Sequence, residues 1–222
     1  NHLLATAALG YEVNVKTRGY VRGHELAIDS NHILSKCSDL NMELLFISRE
    51  EYDRKKKTNG IIPSSSRIWN IPEGGSNREG VKGCLEIMRE TTNDFDYVVV
   101  AQGTTTTSLG LLESMNPKTK LIVVPILKGF DSINEMKNLA SICDLSINES
   151  KIIVLDKYHF GGYSKSNDTL DQFIIQFNKQ ADFTIEPVYT GKVLYALKEY
   201  AKDNSLTGKK VLFIHTGGLN NV

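Results

Sequence analysis

The sequence predicts an α/β protein built on mostly parallel sheets. Strand-like and helix-like segments alternate along nearly the whole chain, the central strand segments are apolar at every position, and turns rich in Gly and Thr follow them. A strand with one wet face alternates polar and apolar residues. Here YVVVA at 97–101 and LIVVPIL at 121–127 are apolar throughout, the pattern of strands covered by helices on both faces.

Taken in order, helix-favouring residues run from Asn1 to Leu9. Short β-branched or aromatic runs bounded by turn residues predict strands at 12–15, 43–48, 67–71, 97–102, 121–127, 152–155 and 210–215. Helical patterns occupy 31–40, 80–90, 108–115, 132–142, 169–183 and 191–202, several of them after a Ser, Thr or Asp suited to capping. KKKTNGIIPSSS, from Lys55 to Ser66, reads as a surface loop.

Composition narrows the classes. The chain has 222 residues with 26 Lys plus Arg against 26 Asp plus Glu, which excludes a nucleic-acid arm and an acidic tail. Its longest apolar runs fall far short of the ~20 residues that span a bilayer, so no membrane partner is expected. Cys37, Cys84 and Cys143 are odd in number and widely separated, which favours neither a disulfide framework nor a zinc site. The histidines show no metal-ligand spacing, so no metal is expected, and a reducing cytoplasm is the expected compartment. An opening without Met and an abrupt HTGGLNNV ending predict a chain that continues at both ends.

The most informative stretch is FDYVVVAQGTTTTSLGLLESM, residues 95–115, where an apolar strand meets a Gly, four threonines and then a helix. Such a turn suits phosphate: N–H groups at a helix start carry partial positive charge, Gly permits close approach, and Thr hydroxyls add neutral donors. The alternative is one capping Thr with three solvated neighbours. Neither GxGxxG nor a Walker loop occurs, and no basic cluster follows the turn, so a phosphate monoester fits better than a triphosphate. Other Gly-containing turns, IPEGGSNREGVKG, HFGGYSKSND, EPVYTGK and IHTGGLNN, place Ser76, Tyr163, Tyr189, Thr190 and Thr216 near Gly and predict one shared cleft.

NHLLATA at the start, VRG at 21–23, IPEGGSNREGVKG, FDYVVVAQGTTTTSLG, EPVYTGK and VLFIHTGG together resemble the pyridoxal-phosphate enzymes grouped as D-cysteine desulfhydrase and 1-aminocyclopropane-1-carboxylate deaminase. The six motifs occur in family order over nearly the whole chain. The resemblance implies the tryptophan synthase β-subunit fold (fold type II), with two α/β three-layer domains. A smaller inserted domain would cover 2–72, and a larger domain binding pyridoxal 5'-phosphate would take in 73–222, its first part and the Schiff-base lysine lying upstream of Asn1. It also implies a homodimer acting on a small amino acid.

By the same resemblance, Asn1 would bond the cofactor's phenolic oxygen, and His2 would help shape the substrate carboxylate pocket. Gly103, Thr104, Thr105, Thr106 and Thr107 would form the phosphate cup, and Tyr163 and Tyr189 would be the catalytic phenols. Deaminase members carry Glu and Leu where this chain has Thr190, a substrate-pocket position, and Thr216, opposite the pyridine nitrogen. A hydroxyl there lets that nitrogen stay neutral, a weaker electron sink that suffices to expel thiolate. The implied reaction is β-elimination of D-cysteine to pyruvate, hydrogen sulfide and ammonia. The alternatives are the deaminase reaction and a non-catalytic binder of a phosphate-bearing ligand on the same fold.

Overall fold

The computed structural model describes residues 2–57 and 68–217, and the chain divides into two compact units, Asn1–Glu73 and Gly74–Val222. The first holds α1 (His2–Glu12), β1 (Arg18–Arg22), α2 (His32–Asp39), β2 (Glu43–Ile47) and α3 (Arg49–Lys57), with β1 and β2 paired in parallel. Ala7, Cys37 and Met42 form its core.

This unit departs from expectation in four places. The strand expected at 12–15 is instead the end of α1 and a turn through Asn14, whose φ of 54° reverses the chain. The strand that follows, RGYVR, escapes a pattern search because a core-facing position is Gly19, against which Leu3 and Met42 pack. The charged run REEYDRKKK is helical, so Lys55–Lys57 of the expected loop belong to a helix, which begins where the Ser48 hydroxyl accepts the Glu51 N–H at 3.1 Å. Where a strand is expected at 67–71, residues 68–71 are irregular, and Arg67 and the 58–66 part of the expected loop lie outside the described residues.

The second unit is a four-stranded parallel sheet in the order β5 (Ile152–Val154), β4 (Lys120–Pro125), β3 (Tyr97–Gln102), β6 (Val211–Ile214). Val98, Val100, Leu121 and Val123 pack with Leu111, Leu112 and Met115 on or beside α5 (Thr106–Ser114), Met88 of α4 (Arg78–Arg89) and Met136 of α6 (Ser132–Ile142). On the opposite face Val99, Ala101, Ile122 and Val124 pack with Val193 and Ala196 of α8 (Thr190–Asp203). Each fully buried Val or Leu contributes about 1.5–3 kcal/mol, which accounts for unbroken apolar strands in a three-layer unit. Leu170 and Ile174 of α7 (Asp168–Gln180) form a further cluster with Ile185.

Because all four strands are parallel, the turns that follow them share one edge of the sheet, where ligands collect in open α/β folds. Asparagine and aspartate caps fix the neighbouring helices: Asn77 accepts from Gly80 N–H at 2.8 Å, Asp131 from Asn134 at 3.1 Å and Asn167 from Leu170 at 3.0 Å. Among the described residues no helix is long and apolar enough to cross a membrane.

Candidate cofactor and substrate site

The turn after β3 is fastened from beneath. Gln102 is fully buried; its Nε2 donates to Ser108 Oγ at 2.8 Å, and that hydroxyl donates to the Thr105 carbonyl at 3.0 Å. Helix α5 begins at Thr106, two residues earlier than the sequence pattern indicates, so Thr106 and Thr107 occupy its first turn. Its first intrahelical bond runs from Leu109 N–H to Thr105 C=O at 2.9 Å, which leaves the N–H groups of Thr106, Thr107 and Ser108 without an intrahelical acceptor. The positive end of the helix dipole adds to them.

The four threonines differ. Thr105 turns its hydroxyl toward the Glu135 carbonyl at 3.5 Å, and Thr107 lies 4.0 Å from Cys84 Sγ. Thr106 Oγ1 is 3.1 Å from Ser76 Oγ, and Thr104 abuts Gly74, where an added Cβ would lie 2.4 Å from Thr104 Oγ1 and Cγ2. Thr104 and Thr106 therefore face the Gly74–Ser76 turn, while Thr105 and Thr107 contribute backbone to the cup and direct their side chains to α6 and α4.

The phenols gather at the same turn. A Cβ on Gly103 would sit 3.3 Å from Tyr189 Cε1, and the Tyr163 ring stands edge-on to Tyr189 with centroids 6.1 Å apart. Tyr163 is 55% exposed, which leaves it open to solvent and ligand. Thr216 is exposed two residues beyond β6, whose Ile214 pairs with Val100 of β3, so it lies on the same sheet edge. His215 fixes that strand end: Nε2 is 2.9 Å from the Thr184 carbonyl and Nδ1 accepts from Gly217 N–H at 3.3 Å. Thr190 is not brought to the cleft. It is fully buried, its hydroxyl donating to Glu186 Oε1 at 3.1 Å and accepting Glu186 N–H at 2.9 Å. His2 is exposed at the start of α1 in the first unit, and Asn1 lies outside the described residues.

Known proteins match the chain over two thirds or more of its length. No family model matches the chain. A putative 1-aminocyclopropane-1-carboxylate deaminase of Pyrococcus furiosus is 27% identical over 98% of this chain and 69% of its own length. The D-cysteine desulfhydrase of Yersinia pestis is 30% identical over 68% of this chain and 51% of its own. The crystal structure of an ACC deaminase homologue superposes with a TM-score of 0.77 at 24% identity, covering 99% of this chain and 71% of that one. The chain belongs to the D-cysteine desulfhydrase and ACC deaminase family of pyridoxal-phosphate enzymes. Its fold is fold type II, α/β with parallel sheets.

The residues of this family member fit the cofactor's phosphate. The cup offers three N–H groups without intrahelical acceptors, the Thr104 and Thr106 hydroxyls and Ser76, all neutral donors that a dianion accepts at a helix start. Thr216 and the two phenols border the same edge.

Two buried charged residues carry this geometry and were missed by sequence reasoning. Glu186 receives Val188 N–H at 2.6 Å, Tyr189 N–H at 2.8 Å and Thr190 N–H at 2.9 Å, which fixes the turn that presents Tyr189 and starts α8. Lys192, fully buried, donates from Nζ to the carbonyls of His159 at 2.9 Å and Gly162 at 2.8 Å. Burial pushes its pKa down, with Glu186 opposing. An acid four residues before a helix start and a Lys at its third position carry no sequence signal of burial; only their place in EPVYTGK could have singled them out.

Proposed function

We propose that this protein is a pyridoxal-phosphate-dependent lyase that converts D-cysteine to pyruvate, hydrogen sulfide and ammonia. The observation that carries the reading is the convergence of the Gly103–Thr107 turn with Tyr189 and Tyr163 on one edge of the parallel sheet. Bound there, the cofactor supplies an electron sink that makes the substrate's α-proton acidic. The Thr106, Thr107 and Ser108 N–H groups and the Thr104 and Thr106 hydroxyls hold its phosphate. Thr216 presents a hydroxyl to the ring nitrogen, which suits expulsion of thiolate from the β-carbon. Tyr189, packed against Gly103, orients the substrate, and the more exposed Tyr163 delivers a proton to the departing sulfur. Thr190 supports the same chemistry indirectly, through its bond to the carboxylate that holds the Tyr189 turn.

The test is a substrate panel run on the full-length protein saturated with pyridoxal phosphate. Sulfide released from D-cysteine, with none from L-cysteine and no ammonia from 1-aminocyclopropane-1-carboxylate, is the expected result. Ammonia from the cyclopropane substrate without sulfide from D-cysteine would overturn the reading in favour of the deaminase reaction.

A further inference from the structure

The loop that presents Tyr163 is held in an unfavourable backbone conformation. Phe160 and Ser164 have positive φ values of 52° and 54°, and Gly161 and Gly162 lie at 94° and 117°. Non-glycine residues pay roughly 1–2 kcal/mol for the left-handed region, so such a loop persists only where its surroundings over-determine it. Local bonds supply part of the hold: Gly161 N–H donates to His159 Nδ1 at 2.9 Å, Gly162 N–H to the His159 carbonyl at 3.0 Å, and Phe160 packs edge-on against Tyr195. None of these ties the loop's polar backbone to the sheet or to α8.

Lys192 does. It is among the largest fully buried side chains of the described residues, and its Nζ reaches out of α8 to bond the His159 and Gly162 carbonyls, which bracket Phe160 and Gly161. Burying an ammonium is costly unless it is bonded, and here the acceptors are two loop carbonyls, with Glu186 of the Tyr189 turn opposing the effect of burial. The next residue after Gly162 is Tyr163. Glu186 fixes the backbone before Tyr189 in the same way, so one helix start anchors both phenol-bearing turns through buried charged side chains.

We propose that Lys192 is a positioning residue: by holding the His159 and Gly162 carbonyls it sets where the Tyr163 phenol stands against Tyr189. The inference rests on the lyase reading only for its catalytic consequence. Lys192 itself touches no reacting atom; it acts through Tyr163.

The experiment compares full-length wild type with K192M, K192Q, Y163F and K192M/Y163F. In K192M the amides of residues 160–164 should exchange with deuterium about tenfold faster or more, as expected for loss of hydrogen bonds from a charged donor, with those of β3 and α5 unchanged. K192Q keeps two N–H donors on a shorter arm, so its exchange should fall between K192M and wild type; it reads the same loop if K192M does not fold. For D-cysteine, kcat of K192M should drop about tenfold or more, with KM and cofactor affinity nearly unchanged, and adding K192M to Y163F should cost nothing further. Wild-type exchange across 160–164 in both lysine variants would overturn the proposal, and so would losses that multiply in the double variant. A wild type that turns over none of the panel substrates would instead refute the lyase reading, and the exchange comparison alone would then decide for or against the lysine's hold on the loop.

Discussion

Gly74 and Gly75 provide a matched pair for testing the phosphate cup. Both have positive φ, 64° and 65°, so an alanine at either pays the same left-handed cost of roughly 1–2 kcal/mol. They differ in what the new Cβ meets. At Gly75 nothing lies within 4 Å, whereas at Gly74 it would fall 2.4 Å from both Oγ1 and Cγ2 of Thr104. Thr104 is β-branched and belongs to the cup, so it cannot swing clear without moving that turn. Overpacking of this kind adds about 1–3 kcal/mol. Gly74→Ala should therefore be less stable than Gly75→Ala by that amount, a thermal midpoint lower by about 2–4 °C for each kcal/mol in a chain of this size. The same displacement should weaken pyridoxal phosphate binding, by about tenfold for each 1.4 kcal/mol transmitted to the cup. Thermal unfolding of the cofactor-free variants and a fluorescence titration of the cofactor measure the two effects. Equal midpoints and equal affinities for the two variants would refute the packing of the Gly74 turn on Thr104.

Two further outcomes follow from buried groups. Glu186→Gln leaves one acceptor oxygen where the carboxylate presents two to the N–H groups of Val188, Tyr189 and Thr190, so unfolding should become easier by about 2–3 kcal/mol and kcat should fall with Tyr189 displaced; an unchanged thermal midpoint would show that the carboxylate is not needed there. Burial raises the thiol pKa of Cys37, Cys84 and Cys143, which lowers the reactive thiolate fraction at neutral pH, so a colorimetric disulfide reagent should label all three slowly in the native protein and rapidly in urea; fast native labelling would contradict their packing.

What the sequence revealed follows how directly burial writes itself into residue type. The unbroken apolar runs of β3 and β4 and the Gly–Thr turn beyond them mark the parallel sheet and its ligand edge, because a strand covered on both faces has no place for polar residues. β1 hides because Gly19 makes its contact with Leu3 and Met42 by lacking a side chain, and α3 hides because its residues are almost all charged. A capping signal was present for α3 in Ser48 and Glu51, the Ser-x-x-Glu pattern of a helix start. In the candidate site the turn and the two tyrosines were legible as motif residues, but the division of labour among the threonines was not, since it depends on which helix each side chain meets. Glu186 and Lys192 were illegible for the opposite reason: both are of types that belong at the surface, and only tertiary structure buries them.

The proposed lyase chemistry depends on one property of the protein: the turn after β3 holds a phosphate monoester through neutral donors at the start of α5. Its most direct test is a phosphorus NMR titration of pyridoxal phosphate bound to the full-length protein. N–H donors and the helix dipole favour the dianion, so the bound signal should stay at its dianionic shift through the region near pH 6 where an exposed phosphate monoester titrates. A bound signal that moves through that region as the free cofactor does would contradict the claim.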